Sequence, residues 1–183
     1  MRYALPEPAP LVSIVIPTKD HVETLDACVM SIAQKATYAN CEIVLVENNS
    51  EAPETFAYYE TLPECVTAAS ECKGIARVAY WPGEFNYSQI INFGAEHAKG
   101  DYLLLLNNDT EVISPDFIEE MMGYLQRPDA GVVAPNSTFP IIWCSTLAFW
   151  SACVAHLLMP TRTSRQSVRA ILPVLCVRAT LVP

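Results

Sequence analysis

Three polar groups interrupt long apolar runs in this chain: Pro17-Thr18-Lys19-Asp20, Glu47-Asn48-Asn49-Ser50 and Asn107-Asn108-Asp109. Their residue types suit one kind of ligand. A carboxylate such as Glu47 accepts hydrogen bonds from a base imide or a ribose hydroxyl, and Asp109 offers a hard oxygen to Mg2+ or Mn2+ bridging a diphosphate. Each group alone is also ordinary turn chemistry, since Asn, Asp and Ser make turns and Pro ends strands. No glycine-rich phosphate loop is present, so a chain that binds a diphosphate here needs another way to neutralise it, and a metal-bound carboxylate provides one.

These groups gain weight from the elements that must carry them. Leu11–Ile16 is an apolar run broken only by Ser13, of the kind found in strands buried on both faces, Cys41–Val46 reads as the second strand, and Tyr102–Leu106 has the composition of a sheet core. Ala76–Trp81 reads as a weaker strand and Gly131–Ala134 as a last one. Between them, Val22–Lys35 sets Val22, Leu25, Cys28, Val29 and Ile32 on one helical face. Pro53–Leu62 reads as a short helix, with no element assigned from there to Gly74. Ser88–Lys99 reads as a helix with Gly100 at its carboxyl cap, and Ser114 caps another that runs to Arg127. Alternating strands and helices imply an α/β fold with a mostly parallel sheet, and in such sheets ligands sit at the carboxyl ends of the strands. All three polar groups fall there.

The composition narrows the class. With 183 residues, 51% of them hydrophobic, the chain can bury one sizeable core. A formal net charge of −9 argues against nucleic acid as a partner. The seven cysteines form no Cys-x-x-Cys pair and are odd in number, so they are read as reduced thiols. Met1–Pro10 lacks the apolar region of a signal peptide, and the expected location is cytoplasmic.

Four segments, in order, resemble the family 2 glycosyltransferases: Val12 to Thr18, Glu42 to Ser50, Asn86 to Gly94, and Leu103 to Asp109. The resemblance spans about residues 11–136, and the run Asn107 to Val112 looks most like the rhamnosyltransferase-like bacterial branch acting in surface polysaccharide synthesis. It implies a GT-A (Rossmann-like) fold and inverting transfer from a nucleoside diphosphate sugar to a saccharide or lipid-linked saccharide acceptor. It also implies site roles: Pro17, Thr18, Glu47, Asn49, Asn92, Gly94, Asn107 and Asn108 in nucleotide-sugar binding, and Asp109 as ligand to Mn2+ or Mg2+. The Asn107-Asn108-Asp109 triplet stands where the family carries Asp-x-Asp, with Asn in place of the first Asp.

The organisation expected is an N-terminal extension at 1–10, the nucleotide-sugar-binding domain at 11–136, and an atypical tail at 137–183. That tail holds four Arg and no Asp or Glu, whereas all twenty acids lie before it. The family's catalytic base belongs after the Asp-x-Asp position, yet no acid follows Asp129, so the acceptor half reads as missing and the base is unknown. The tail is read as out of frame: a two-base offset from Pro135 permits Lys-Leu-Tyr-Phe-Pro-Asp-Asn-Leu-Val-Gln-His-Ala-Gly-Val-Leu, which resembles the family's continuation. A competing reading makes Ile141–Met159, uncharged over its length, a membrane-spanning helix and hence a membrane contact. The alternative function is then a non-catalytic nucleotide-binding or membrane-anchored interaction module. A dinucleotide-binding Rossmann domain fits worst, because Pro17-Thr18-Lys19-Asp20 stands where a glycine-rich turn is needed. His21 and His97 are expected on the surface, and Trp81, Phe85 and Tyr87 in packing.

Overall fold

The computed structural model describes residues 5–69, 76–127, 129–134 and 174–177. Its elements follow the chain as β1 (Val12–Thr18), α1 (Val22–Lys35), β2 (Cys41–Glu47), α2 (Pro53–Ala69), β3 (Ala76–Tyr80), α3 (Tyr87–His97), β4 (Tyr102–Leu105), α4 (Phe117–Leu125), β5 (Val132–Val133) and β6 (Val174–Val177). The sheet order is β3-β2-β1-β4-β6-β5, with β1 to β4 parallel and β6 antiparallel to both β4 and β5. The expected mostly parallel α/β sheet is therefore the one observed.

Alternate strand residues feed two cores. Ile14, Ile16, Ile43, Leu45 and Leu104 pack with α1, α2 and α4, while Val15, Val44, Val46, Leu103 and Leu105 pack with α3 on the opposite face. Burial on both faces is why these strands are apolar almost throughout, with Ser13 and Glu42 the exceptions near their amino ends. Gly94 brings α3 close to the sheet, because a Cβ there would lie 2.5 Å from Val15 Cγ1 and 2.6 Å from Val46 Cγ2.

Strand β1 continues through Pro17, where the sequence suggested a stop. Odd-numbered residues of β1 face β4, as the bond from the Leu106 amide to the Val15 carbonyl shows. Pairing with β4 ends at Val15, so the missing N–H of Pro17 falls where no strand asks for it.

Three helix boundaries also differ from expectation. Helix α2 runs on to Ala69 through Pro63. Helix α4 starts at Phe117, because Ser114 accepts only a turn bond from the Phe117 amide and Asp116 takes the cap position. Ala98 rather than Gly100 caps α3, and Gly100 is instead a point of close approach: its N–H donates to Ser13 Oγ at 2.8 Å, and a Cβ would lie 2.6 Å from the Leu11 carbonyl oxygen.

Most of the tail, including Ile141–Met159, lies outside the described residues, and Val174–Val177 contributes the strand β6 to the sheet. Among the described residues, no helix is long and apolar enough to cross a membrane.

Candidate functional site

The strand order reverses between β1 and β4. Helices α1 and α2 carry the chain from β1 to β2 to β3 on one face, then α3 returns it across the other face to β4. That reversal opens a crevice at the carboxyl ends of β1 and β4, the place where open α/β sheets bind ligands.

Register brings the polar groups together there. Thr18 is paired with Glu47 across β1 and β2, and Glu47 with Tyr80 across β2 and β3. Asn108 Nδ2 reaches Thr18 Oγ1 at 3.5 Å, which places the end of β4 beside the end of β1. Thr18 and Glu47 share the strand parity of Ile16 and Leu45, so both lie on the α1/α2 face of the sheet. Both are almost fully buried, at 4% and 3% exposure. The Ser50 amide donates to Glu47 Oε1, and the Asn48 amide donates to the Thr18 carbonyl at 2.9 Å.

The third group is held from α1. Cys28 Sγ contacts the Asn107 carbonyl oxygen at 3.5 Å, the Val112 amide donates to Ser31 Oγ at 3.0 Å, and Lys35 Nζ donates to the Val112 carbonyl at 2.8 Å. Burial pushes the Cys28 thiol up to about 12, with the Asp109 charge adding to it, so it stays a neutral thiol beneath the triplet. Asn107 and Asn108 are half-buried and Asp109 is exposed. Among the described residues, nothing hydrogen-bonds the Asp109 carboxylate.

A divalent ion can be tested against this donor set. No three His, Cys, Asp or Glu side chains among the described residues are grouped to hold an ion by themselves. One exposed, unengaged carboxylate flanked by two amides instead fits an ion that arrives with a diphosphate and keeps several waters, which is how Mg2+ and Mn2+ bind nucleotides.

Other residues scaffold the site. Asn49, in the left-handed region at φ 57°, donates through Nδ2 to the Gly83 carbonyl at 2.8 Å, and the Trp81 amide donates to the Glu47 carbonyl at 2.9 Å. Both bonds dock the loop 81–86 on the end of β2. Asp20 Oδ1 accepts from the amides of Glu51 and Ala52, each at 3.0 Å, and from Thr55 Oγ1 at 3.3 Å, so it satisfies the start of α2.

These bonds, that from Ala52 foremost, hold the Asp20 carboxyl below the usual carboxylate range. A depressed folded pKa means that its stabilising contribution is complete above the unfolded value, roughly 3.9, and is lost as pH falls through the folded one. Stability of the chain is therefore expected to drop below about pH 4 more steeply than that of an Asp20→Asn variant. Thermal unfolding at pH 3 and pH 6 measures this, and equal drops in the two proteins would contradict it.

Asn92 and Gly94 are not brought to this cluster. They lie on α3, across the sheet; Asn92 is exposed and Gly94 is buried against Val15 and Val46. Pro17 stands on the α3-facing parity. His21 and His97 are exposed, Trp81 packs edge-on to Phe93 with ring centroids 5.4 Å apart, Tyr87 is half-buried, and Phe85 is exposed rather than packed. A groove of about 620 Å³ adjoins the site at the amino ends of α1 and α2, lined by Asp20, His21, Glu23, Glu51 and Glu54 among others. Its acidic lining repels a diphosphate, which favours the β4 end for the phosphates.

The reading from sequence missed two features. Glu42, at 6% exposure, accepts from Ser13 Oγ at 2.5 Å, Arg77 Nη2 at 3.1 Å and the Lys99 amide at 2.7 Å, at the amino end of the sheet away from the crevice. Its signal was an acid inside an apolar strand. Tyr59 of α2 is buried under the ends of β2 and β3, against Tyr80, and its position in a helix of mixed pattern held no such signal.

Comparison with known proteins bears on the family and the fold. The family model described as glycosyl transferase family 2 matches residues 13–148. An O-antigen biosynthesis protein, RfbC, of Myxococcus xanthus is 38% identical over 133 residues, which are 72% of this chain and 10% of that protein. An uncharacterized protein, y4gI, of Sinorhizobium fredii is 36% identical over 134 residues, 73% of this chain and 14% of that one. The glycosyltransferase GlyG of Streptococcus pneumoniae is 29% identical over 126 residues, 69% of this chain and 38% of that one. The chain thus spans well under half the length of each of these relatives. Among solved structures, the mannosyltransferase PcManGT from Pyrobaculum calidifontis in complex with GDP-Man and Mn2+ superposes with a TM-score of 0.62 at 17% identity, covering 74% of this chain and 38% of that one. S. aureus TarS superposes with a TM-score of 0.53 at 14% identity, covering 71% of this chain and 38% of that one. Both likenesses are of fold.

Proposed function

This chain belongs to glycosyl transferase family 2, and from that premise we propose that it forms the donor side of a sugar transfer in the cytoplasm, serving bacterial surface polysaccharide synthesis. The observation that carries the reading is the meeting of Thr18, Glu47 and the Asn107-Asn108-Asp109 triplet at the reversal of strand order. The donor is a nucleoside diphosphate sugar. Its base and ribose lie against Pro17, Thr18 and Glu47, and its diphosphate lies at the end of β4 beside Asn107, Asn108 and Asp109.

Asp109 would hold a divalent ion, Mn2+ or Mg2+, which supplies electrostatic stabilisation of the charge that develops on the leaving diphosphate. In the reaction, an acceptor hydroxyl of a saccharide or lipid-linked saccharide attacks the anomeric carbon from the face opposite the nucleotide. The new carbon–oxygen bond forms as the bond to the diphosphate breaks, the nucleoside diphosphate leaves with the electron pair, and the anomeric configuration inverts. The acceptor proton passes to a carboxylate base. The residues that carry this reading belong to the donor side of that step.

The test is calorimetric titration with UDP and dTDP, each with and without Mn2+. Binding that requires the metal supports the donor site. A folded chain that binds neither nucleotide refutes the proposal.

A further inference from the structure

Tyr59 is 5% exposed, on the α2 face of the sheet. Its ring is fixed by edge-on contacts with Phe56 and Tyr80, at centroid separations of 6.1 and 6.4 Å. Tyr80 ends β3 directly opposite Glu47, so the ring stands under the ends of β2 and β3. The hydroxyl is fully buried and makes no hydrogen bond of regular geometry with the described residues. A buried hydroxyl held without a well-formed bond gains free energy from a better-placed acceptor.

Its surroundings indicate which bond. The Ser50 and Thr18 side chains stand close enough to the hydroxyl to share long hydrogen bonds with it, and the Glu47 carboxylate acts on it through its charge. Ser50 Oγ accepts from the Asp20 amide at 2.9 Å, and Ser50 N–H holds Glu47 Oε1. Burial first, with the Glu47 charge adding to it, pushes the phenol up to about 12, so it remains a proton donor at any physiological pH.

We propose that Tyr59 is a positioning residue of the donor site, whose hydroxyl donates to the Glu47 carboxylate when a nucleotide engages it and so orients that carboxylate toward the base or ribose. The inference rests on the donor site described above. Tyr59 acts from behind Glu47 and does not touch the nucleotide.

The Tyr59→Phe chain keeps the ring and its packing, so its thermal unfolding should match that of the parent. Calorimetric titration with UDP and dTDP in Mn2+ should show affinity for the better-bound nucleotide about tenfold weaker in Tyr59→Phe. In a Glu47→Gln background the same replacement should change affinity less than about twofold, because the group through which it acts has lost its charge. Equal losses in both backgrounds would make Tyr59 a packing residue and overturn the inference. So would unchanged affinity in the single variant while the parent binds, and that outcome leaves the donor site intact. If the parent binds neither nucleotide, the donor site fails and this inference falls with it.

Discussion

An Asp109→Ala chain is expected to bind UDP or dTDP about a hundredfold more weakly than the parent in Mn2+, and to show the same affinity with and without the metal. The size of the effect follows from the composition of the triplet. Asn107 and Asn108 bring neutral amides, so Asp109 alone brings a formal charge to the place assigned to the diphosphate. Two like charges, the carboxylate and the diphosphate, meet there only if a cation lies between them, and removing the carboxylate takes away the ion's protein anchor. Because Asp109 is exposed and no described residue bonds its carboxylate, the replacement should leave stability within about 0.5 kcal/mol. Parallel calorimetry and thermal unfolding of both proteins test this. A metal-dependent increment of the same size in the variant would show that the ion is held elsewhere.

The largest effect on stability is expected at the other end of the sheet. Arg77 Nη2 donates to Glu42 Oε1 at 3.1 Å, lies 3.0 Å from Oε2, and also bonds the His97 carbonyl oxygen at 2.5 Å. One guanidinium thus ties β2 to the carboxyl end of α3. Replacing it by methionine leaves a buried carboxylate whose partners among the described residues are Ser13 and the Lys99 amide. Breaking a buried pair from one side costs about 3 to 5 kcal/mol. Arg77 is partly open to solvent, its side chain 27% exposed, which places the expectation near 3 kcal/mol. For a domain of this size that corresponds to a midpoint lower by roughly 6 to 12 °C. Removing Glu42 as well, as Glu42→Leu with Arg77→Met, should recover part of the loss, because an apolar pair carries no desolvation penalty. Nucleotide affinity should not change in the folded variants, since the network lies away from the crevice. A midpoint shift under about 2 °C in Arg77→Met would mean that water already screens the pair.

These two expectations separate what can be read along the chain from what cannot. Helix α1 was legible from Val22 to Lys35 because its buried face repeats at the helical period, and β2 was legible because Ile43 to Val46, covered on both sides, form an apolar run. Boundaries set by contacts elsewhere were not. The start of α4 depends on a loop pinned just past the end of α1, where the Pro115 carbonyl accepts from the Thr37 amide at 3.0 Å. Gly100 looked like a helix cap, yet its lack of a side chain matters because Leu11 and Ser13 press against it from 87 or more residues away in sequence.

By itself, the sequence determined an α/β domain with a mostly parallel sheet and polar residues at three strand ends, because both rest on local periodicity and on where apolar runs stop. Only the tertiary structure decided which of those ends meet. Thr18, Glu47 and Asn108 converge because β1 is paired with β2 on one side and β4 on the other, whereas Asn92 and Gly94 are carried to the far face by α3. The same pairing decided that Tyr59 stands beneath Glu47 and that Arg77 closes on Glu42. Contacts between residues far apart in the chain depend on strand order and helix face, and those are settled by packing of the whole sheet rather than by any segment of it.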